Sequence, residues 1–398
     1  MNSLIKHESL AQGAAATPPH ILMVDPSLFT PSYDAALIHA LRAQGASVEL
    51  VGRPPRRSEA PSEPAAVPHF YRWFDTAPHL LGLPGAALKA MEHALDGLRF
   101  ASSAGSADRL LHFQWLPFPL ADAALLRVAR RRGPVVATVH DTAPFNGTPT
   151  ASLQVHGFAA ALDGAHRLIV HTESGRRRLR KLGIDEERIR VIPHGPLPGA
   201  PTARPHVRDP RWTVVAFGKL RPYKGLDVLV EAAAALDAET RAGLRIIIAG
   251  EPAMDLRSLR AAIAANGLEG VVEIRDRWHD DEALATLFSE ADAFVFPHRE
   301  VEASGVFFLV QGLGRWLIAS RIGAFAEAIE DGVSGRLVPP EAADALADAL
   351  ADGVSRRPGP AAPPRVADWD SIARATLATY AEALDQWSAC SGEKAARR

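Results

Sequence analysis

The run Phe217-Gly218-Lys219-Leu220-Arg221-Pro222-Tyr223-Lys224-Gly225 has the composition of an anion-binding turn. It follows an apolar strand-like segment and opens onto the helical period LDVLVEAAAAL. A helix start offers unpaired backbone N–H groups, and Arg and Lys add charge, so a phosphate would be held well here. It is not a Walker loop, because the lysine precedes the final glycine and no Ser or Thr follows. An ordinary turn with exposed cations has the same composition. A second run, Phe296-Pro297-His298-Arg299-Glu300-Val301-Glu302-Ala303-Ser304-Gly305-Val306, again follows an apolar segment. Acidic residues before a Ser-Gly helix start place a carboxylate beside N–H donors. The donors suit phosphate, and the carboxylate suits sugar hydroxyls or developing positive charge. Loop solubility is the plainer account of Glu300 and Glu302.

Other residues invite chemistry less strongly. His140 ends the apolar run VVATVHD, at the edge where open α/β sheets bind ligands. A local partner, Asp141 or Thr142, would equally explain it. His112, His171 and His194 occupy similar places and read as packing residues. Asp368-Trp369-Asp370 spells a metal-binding D-x-D, yet it opens the last helical segment, where Asp370 suits an N-cap. His279, Asp280 and Asp281 read as an acidic helix start rather than a metal site.

These loops need strands to carry them. Short apolar runs at 20–25, 46–52, 110–115, 135–141, 166–171 and 189–194 alternate with segments of helical period. A second set lies at 213–218, 244–250, 271–275, 293–298, 316–320 and 336–338. Strand-helix alternation predicts α/β architecture, with each set forming its own doubly wound, Rossmann-like sheet. Residues 195–210 contain five prolines and read as a linker, which puts a boundary near residue 205. The expected division is a loose tail over 1–18, a first domain over 19–205, a second over 206–365, and a helix over 366–390 that crosses back to the first. Segment 53–68 reads as a surface excursion.

Composition narrows the function. A chain of 398 residues is too long for one core, and 47% hydrophobic with 23% charged residues is ordinary for a globular protein. A net charge of −2 argues against coating nucleic acid, and the single Cys390 excludes a disulfide framework and a cysteine zinc site. No apolar run is long enough to span a bilayer, and the N-terminus lacks the core of a signal peptide. A cytoplasmic protein is expected. No G-x-G-x-x-G follows the first strand, which argues against a dinucleotide-dependent oxidoreductase. Residues 19–205 hold 21 Lys and Arg against 16 Asp and Glu, a net of +5, leaving −7 elsewhere. Arginine runs at 53–57, 127–132 and 176–181 are either solvated helix faces or a surface for anionic lipid headgroups or a pyrophosphate-linked acceptor.

Taken together, the two motif loops resemble glycosyltransferase family 4, retaining nucleotide-sugar transferases of the GT-B fold, over roughly residues 20–385. FGKLRPYKGLDVLVEA looks like the family's donor-phosphate loop, and SEADAFVFPHREVEASGV looks like its acidic-motif region. GAFAEAIEDGVSGRLVPPE resembles the segment closing the donor domain. RLLHFQWLPFPL, VVATVHDTAPF and HRLIVHTESGRRRLRKLGIDEERIRVIPHG resemble the acceptor domain. The resemblance implies that Arg221 and Lys224 hold the donor diphosphate, with Lys219 an alternative for the first cation. It implies that Glu300 orients the donor sugar, that His140 faces that sugar across the cleft, and that Gly218, Ser304, Gly305, Val306 and Glu302 line the donor site.

Two departures accompany the resemblance. The family's second glutamate falls at Leu309, a loss shared by relatives with a YRE…SGV pattern; that carboxylate usually binds the nucleotide ribose. Ser32-Tyr33 stands where a glycine pair is common. The implied reaction moves a sugar from a nucleotide-diphosphate donor to a glycan or lipid-linked acceptor, without a metal or other cofactor. No residue is an obvious covalent nucleophile, and the resemblance implies front-face attack. The charged first half suggests reversible contact with an anionic membrane at its inner face. A GT-B epimerase or phosphorylase, or a nucleotide-binding homologue without turnover, would share the same motifs. Because the motif residues sit in loops, losing them should affect activity rather than stability.

Overall fold

The structure is a computed structural model that describes residues 20–56, 63–73, 85–106, 108–142, 151–197, 206 and 209–396. The tail at 1–18 and the boundary near residue 205 lie outside the described residues. Thirteen strands form two all-parallel sheets. The first contains β1 (His20–Val24), β2 (Val48–Gly52), β3 (Val67–Pro68), β4 (Arg109–Phe113), β5 (Val135–Val139), β6 (Arg167–Val170) and β7 (Ile189–Val191). Their order is β3-β2-β1-β4-β5-β6-β7. The second contains β8 (Trp212–Phe217), β9 (Leu244–Ala249), β10 (Val272–Arg275), β11 (Ala293–Phe296), β12 (Trp316–Ser320) and β13 (Gly335–Val338), in the order β10-β9-β8-β11-β12-β13.

Sheets with helices on both faces need strands that are apolar on both sides. Val135, Val136 and Ala137 of β5 and Ile246, Ile247 and Ile248 of β9 are all fully buried. Each sheet reverses its winding at one place, between β1 and β4 in the first and between β8 and β11 in the second. Chains leave such a switch point in opposite directions and open a crevice beyond the strand ends. The loops after β1, β4, β8 and β11 therefore face ligand space, and they include both motif loops read from the sequence.

The long helix Trp369–Ala396 follows the second sheet in sequence but packs on the first. Ile372, Ala373, Tyr380 and Ala383 are buried in one cluster with Ile21, Leu37, Ile38 and Val136. Glu382 adds ion pairs to Arg167 at 2.7 Å and Arg190 at 2.5 Å. The helix runs past the expected end at 390, and the preceding helix spans Ala343–Arg356. Its Gly353 lies where a Cβ would come 2.1 Å from the Trp212 ring, so close packing on β8 requires glycine there.

Two local expectations are corrected. Segment 53–68 is not purely an excursion: Val67 and Pro68 pair with Val51 and Gly52 as the edge strand β3, a place a sheet tolerates proline. Asp370 is not the N-cap of the last helix. Asp368 accepts the Ser371 N–H at 2.7 Å, while Asp370 bonds Gln44 and Arg374.

Candidate active site

A cleft of about 450 Å³ lies between the two sheets. One wall is Phe29 to Tyr33, Trp115, His140, Asp141, Arg178 and His194; the other is Arg221, Tyr223, Glu300 to Ala303 and Gly305. The loop after β1 is stiffened from within. Asp25 accepts the N–H groups of Ser27 at 3.3 Å and Thr30 at 3.1 Å, and Leu28 is held at φ 51°. Asp34, fully buried beside Asp25, has its carboxyl pushed well above the usual range, by burial first and then by Asp25. Trp115 donates to Thr30 Oγ1 at 3.0 Å and stacks on His140 with centroids 5.2 Å apart.

His140 lines the cleft, yet its nitrogens are engaged inside the first domain. The Ile192 carbonyl can only accept, so His171, 3.0 Å away, carries its proton on Nδ1. His171 Nε2 then accepts from His140 Nδ1–H at 3.0 Å. His140 Nε2, 2.9 Å from the Gln114 side chain, is left with its lone pair, and the amide there must present its NH2. Neutral rings are required throughout. Burial and the neighbouring histidines hold His140 well below the usual value, and burial holds His171 at about 4 and His194 at about 3. The local partners expected for His140, Asp141 or Thr142, are thus replaced by Gln114 and His171. Of the histidines read as packing residues, His112 and His171 are internal, whereas His194 also lines the cleft and stacks on Phe308 of the second domain at 4.0 Å.

The second wall is built by glycine. Gly218, at φ 108°, leaves space that a Cβ would fill within 2.7 Å of Lys224 Nζ and 2.8 Å of Val306 Cγ2. Gly225, at φ 63°, comes so near the next loop that a Cβ would lie 2.0 Å from the Pro297 carbonyl oxygen. These two glycines let the motif loops touch. Lys224 is buried and donates to the Phe217 carbonyl at 2.9 Å. Burial, and secondarily Arg221, lowers its ammonium to about 8. The expectation that Lys224 is a surface-loop residue without a part in stability is therefore not met by its burial.

Arg221 is exposed and lines the cleft, whereas Lys219 lies 3.4 Å from Glu251 and does not. Glu300 is exposed into the cleft. Glu302 is only 3% exposed, which sets aside loop solubility as its account. Ser304 caps the short helix Gly305–Val310, and Leu309 packs against the second core, so the place of the family's second carboxylate is apolar. Asp280 caps its helix by accepting the Ala283 N–H at 2.8 Å; among the described residues no His, Cys, Asp and Glu group is arranged to hold a metal.

Sequence reading missed several wall residues. Tyr33 packs its ring against His140, His194 and Trp369, a contact no local pattern could show. Arg178 belongs to a run that reads either as a solvated face or as a surface for anionic lipid or a pyrophosphate-linked acceptor, and its place in this cleft was not singled out. Arg299 staples the two motif loops: its N–H donates to the Tyr223 carbonyl at 2.8 Å and its guanidinium to Pro222 O and Asp227 at 2.9 Å. Its position between two named motif residues was the available signal.

Sequence families divide at the same place as the sheets. Residues 33–195 match Glycosyltransferase Family 4, and residues 211–355 match Glycosyl transferases group 1. With two GT-B sheets facing one cleft, the chain belongs to the family 4-type glycosyltransferases. Among its relatives is a D-inositol 3-phosphate glycosyltransferase of Streptomyces bingchenggensis, 28% identical over 330 residues, covering 75% of this chain and 72% of that protein. The Mycobacterium tuberculosis protein of the same name is 31% identical over 288 residues, 64% of this chain and 58% of its own length. The chain thus spans less than two thirds of that relative. Solved structures share the fold: Anabaena HepE in complex with UDP has a TM-score of 0.59 at 15% identity, covering 95% of this chain and 100% of that one. Sucrose-phosphate synthase from Thermosynechococcus elongatus has a TM-score of 0.66 at 18% identity, with the same coverage. Among the described residues no helix is long and apolar enough to cross a membrane.

Proposed function

We propose that the protein transfers a sugar from a nucleotide-diphosphate donor, with retention at the anomeric carbon, to a glycan or lipid-linked acceptor in polysaccharide or glycoconjugate synthesis. The observation that carries this reading is the meeting of Arg221 and Glu300 at one cleft, with Lys224 buried behind the same turn. Breaking the bond to the anomeric carbon puts negative charge on the leaving phosphate. Lys224 is held in place by the Phe217 carbonyl before the reaction and Arg221 lines the cleft beside it, so the pair can stabilise that charge more in the transition state than in the ground state. Glu300, from the same wall, orients the sugar. The acceptor then attacks from the leaving-group face, and the departing phosphate takes its proton. His140, with both nitrogens engaged, shapes the opposite wall and is not the acid or base.

Arg178 on the first wall suits an anionic acceptor, and the relatives named for inositol 3-phosphate make a polyol phosphate the first class to test. The HepE structures with UDP and UDP-glucose make uridine donors the first to try. Exposed Met91, Leu95 and Leu98 on one face of helix Gly85–Ala104, with exposed Arg127, Arg131 and Arg132, support reversible contact with the anionic inner face of a membrane. Leu309 favours a second reading, a nucleotide-binding homologue without turnover. A panel of nucleotide sugars screened by thermal shift, then assayed for acceptor product with the anomer read by NMR, separates the two. Donor binding with a retained-anomer product is expected; binding without any turnover would establish the second reading, and free sugar phosphate or epimer would replace both.

A further inference from the structure

The helix Glu173–Lys181 of the first domain begins against the second domain, and two carboxylates grip it there. Glu302 accepts from Thr142 Oγ1 at 2.8 Å and from Thr172 Oγ1, and lies 3.9 Å from Arg178 Nη1. Thr172 is the N-cap of that helix and takes the Gly175 N–H at 2.9 Å. Glu327, on helix Gly323–Ala328, accepts the N–H groups of Glu173 at 2.9 Å and Ser174 at 3.4 Å. These are the free donors at the positive end of a helix, where carboxylates are favoured. The two grips are one unit, because Ala324 donates its N–H to the Glu302 carbonyl at 2.9 Å. Gly323, at φ 47°, allows that approach: a Cβ there would lie 2.2 Å from the Val301 carbonyl oxygen.

Gly175 shows that the contact is built to close tolerance. A Cβ on it would lie 2.2 Å from Glu302 Oε1, so a larger residue there would push the carboxylate away from Thr172. The bonds from Glu302 to Thr142 and Thr172 and from Glu327 to Glu173 and Ser174 all cross from one domain to the other, and a small rotation would break them together, which makes the contact all-or-none rather than graded. We infer that Glu302 and Glu327 form a two-point clasp that holds the domains closed, and that Glu302 is a positioning residue fixing Glu300 in the cleft. The clasp rests on the sugar-transfer reading only for its consequence at Glu300.

The test uses the full chain without substrate. In a helix, Gly→Ala is ordinarily stabilising, so Gly175→Ala separates the clasp from mere helix propensity by sign. Expected for Gly175→Ala and for Glu327→Ala are a larger radius of gyration by X-ray scattering and at least tenfold faster amide exchange at residues 173–175, with helix content kept. In a Glu302→Ala background, adding Gly175→Ala should change neither quantity, since the atom it displaces is gone. Should Glu327→Ala fail to fold, Glu327→Gln keeps one acceptor oxygen and should give the same changes in smaller degree. Wild-type dimensions and exchange in Gly175→Ala, or equal effects of that change in both backgrounds, would overturn the clasp. In a transfer assay the clasp variants should lose kcat at least tenfold with little change in donor KM. Because the scattering and exchange readings need no turnover, a chain that never transfers sugar would refute the functional reading and leave the clasp standing.

Discussion

Lys224 donates from its ammonium to the carbonyl oxygen of Phe217, 2.9 Å away, and so ties the end of β8 to the turn that follows it. In the proposed reaction the same group would supply charge at the leaving phosphate. Lys224→Ala should therefore do two things: lower turnover by two or more orders of magnitude, and shift the melting temperature, because the Phe217 carbonyl loses its donor while a buried charge is removed. Arg221→Ala, at an exposed position, should lower turnover comparably with little change in melting temperature. Parallel kcat and Tm measurements on both variants check the contrast.

The Lys224 value of about 8 predicts an alkaline limb. In the free enzyme the ammonium is charged below that pH and lost above it, so kcat/KM should fall about tenfold per unit beyond pH 8. The stability sign is opposite. The folded pKa lies below the unfolded one, so between about 8 and 10.5 the unfolded chain holds the extra proton and stability rises with pH. Lys224→Arg should remove the limb; a limb that persists in this variant belongs to another group.

Glu300 and Glu302 should separate cleanly. Glu300→Ala removes an exposed carboxylate from the cleft, so a severe loss of turnover at unchanged Tm is expected. Glu302→Ala leaves Thr142 and Thr172 without their buried acceptor, so a lower Tm and a milder turnover loss are expected. Calorimetry beside initial rates measures the ranking, and the reverse order would exchange the two roles.

Acid sensitivity should trace to the buried histidines. His112 bonds Tyr380 Oη and Thr138 Oγ1, each at 2.7 Å, and burial lowers it to about 3. Its contribution is complete above the unfolded value of 6.5 and is lost as the pH falls toward 3, because the unfolded chain takes the proton first. Buried Asp34 and Asp122, with raised values, act in the other direction. Comparing His112→Asn with wild type cancels them. Between pH 7 and 5 the variant should be spared about 2 kcal/mol of the wild type's loss, read from urea midpoints.

Sheets and motif loops were legible because their signals are local. Apolar runs such as LRIIIAG and glycine-cation turns such as GKLRPYKG carry their meaning within ten residues. Contacts across the domains were not. Glu302 looks like any loop acid until Thr142 and Thr172 are brought to it, and Gly175 looks like a poor helix residue until a carboxylate fills its space. His140 was placed at the cleft, but its engagement with Gln114 and His171 depends on three strands lying side by side. The cap of the last helix was misplaced by two residues, since D-W-D offers two aspartates and only backbone geometry chooses Asp368.

The helix Trp369–Ala396 also orders events at the ribosome. Strands β8 to β13 all lie between Trp212 and Val338, so the second domain can complete its sheet while residues beyond it are still being made. The first sheet, synthesised earlier, keeps the face bearing Ile21, Leu37 and Val136 uncovered until Ile372, Tyr380 and Ala383 emerge. The half of the protein that is born first is thus the half that matures last, and during that delay its open apolar face is the part of the nascent chain most in need of a chaperone.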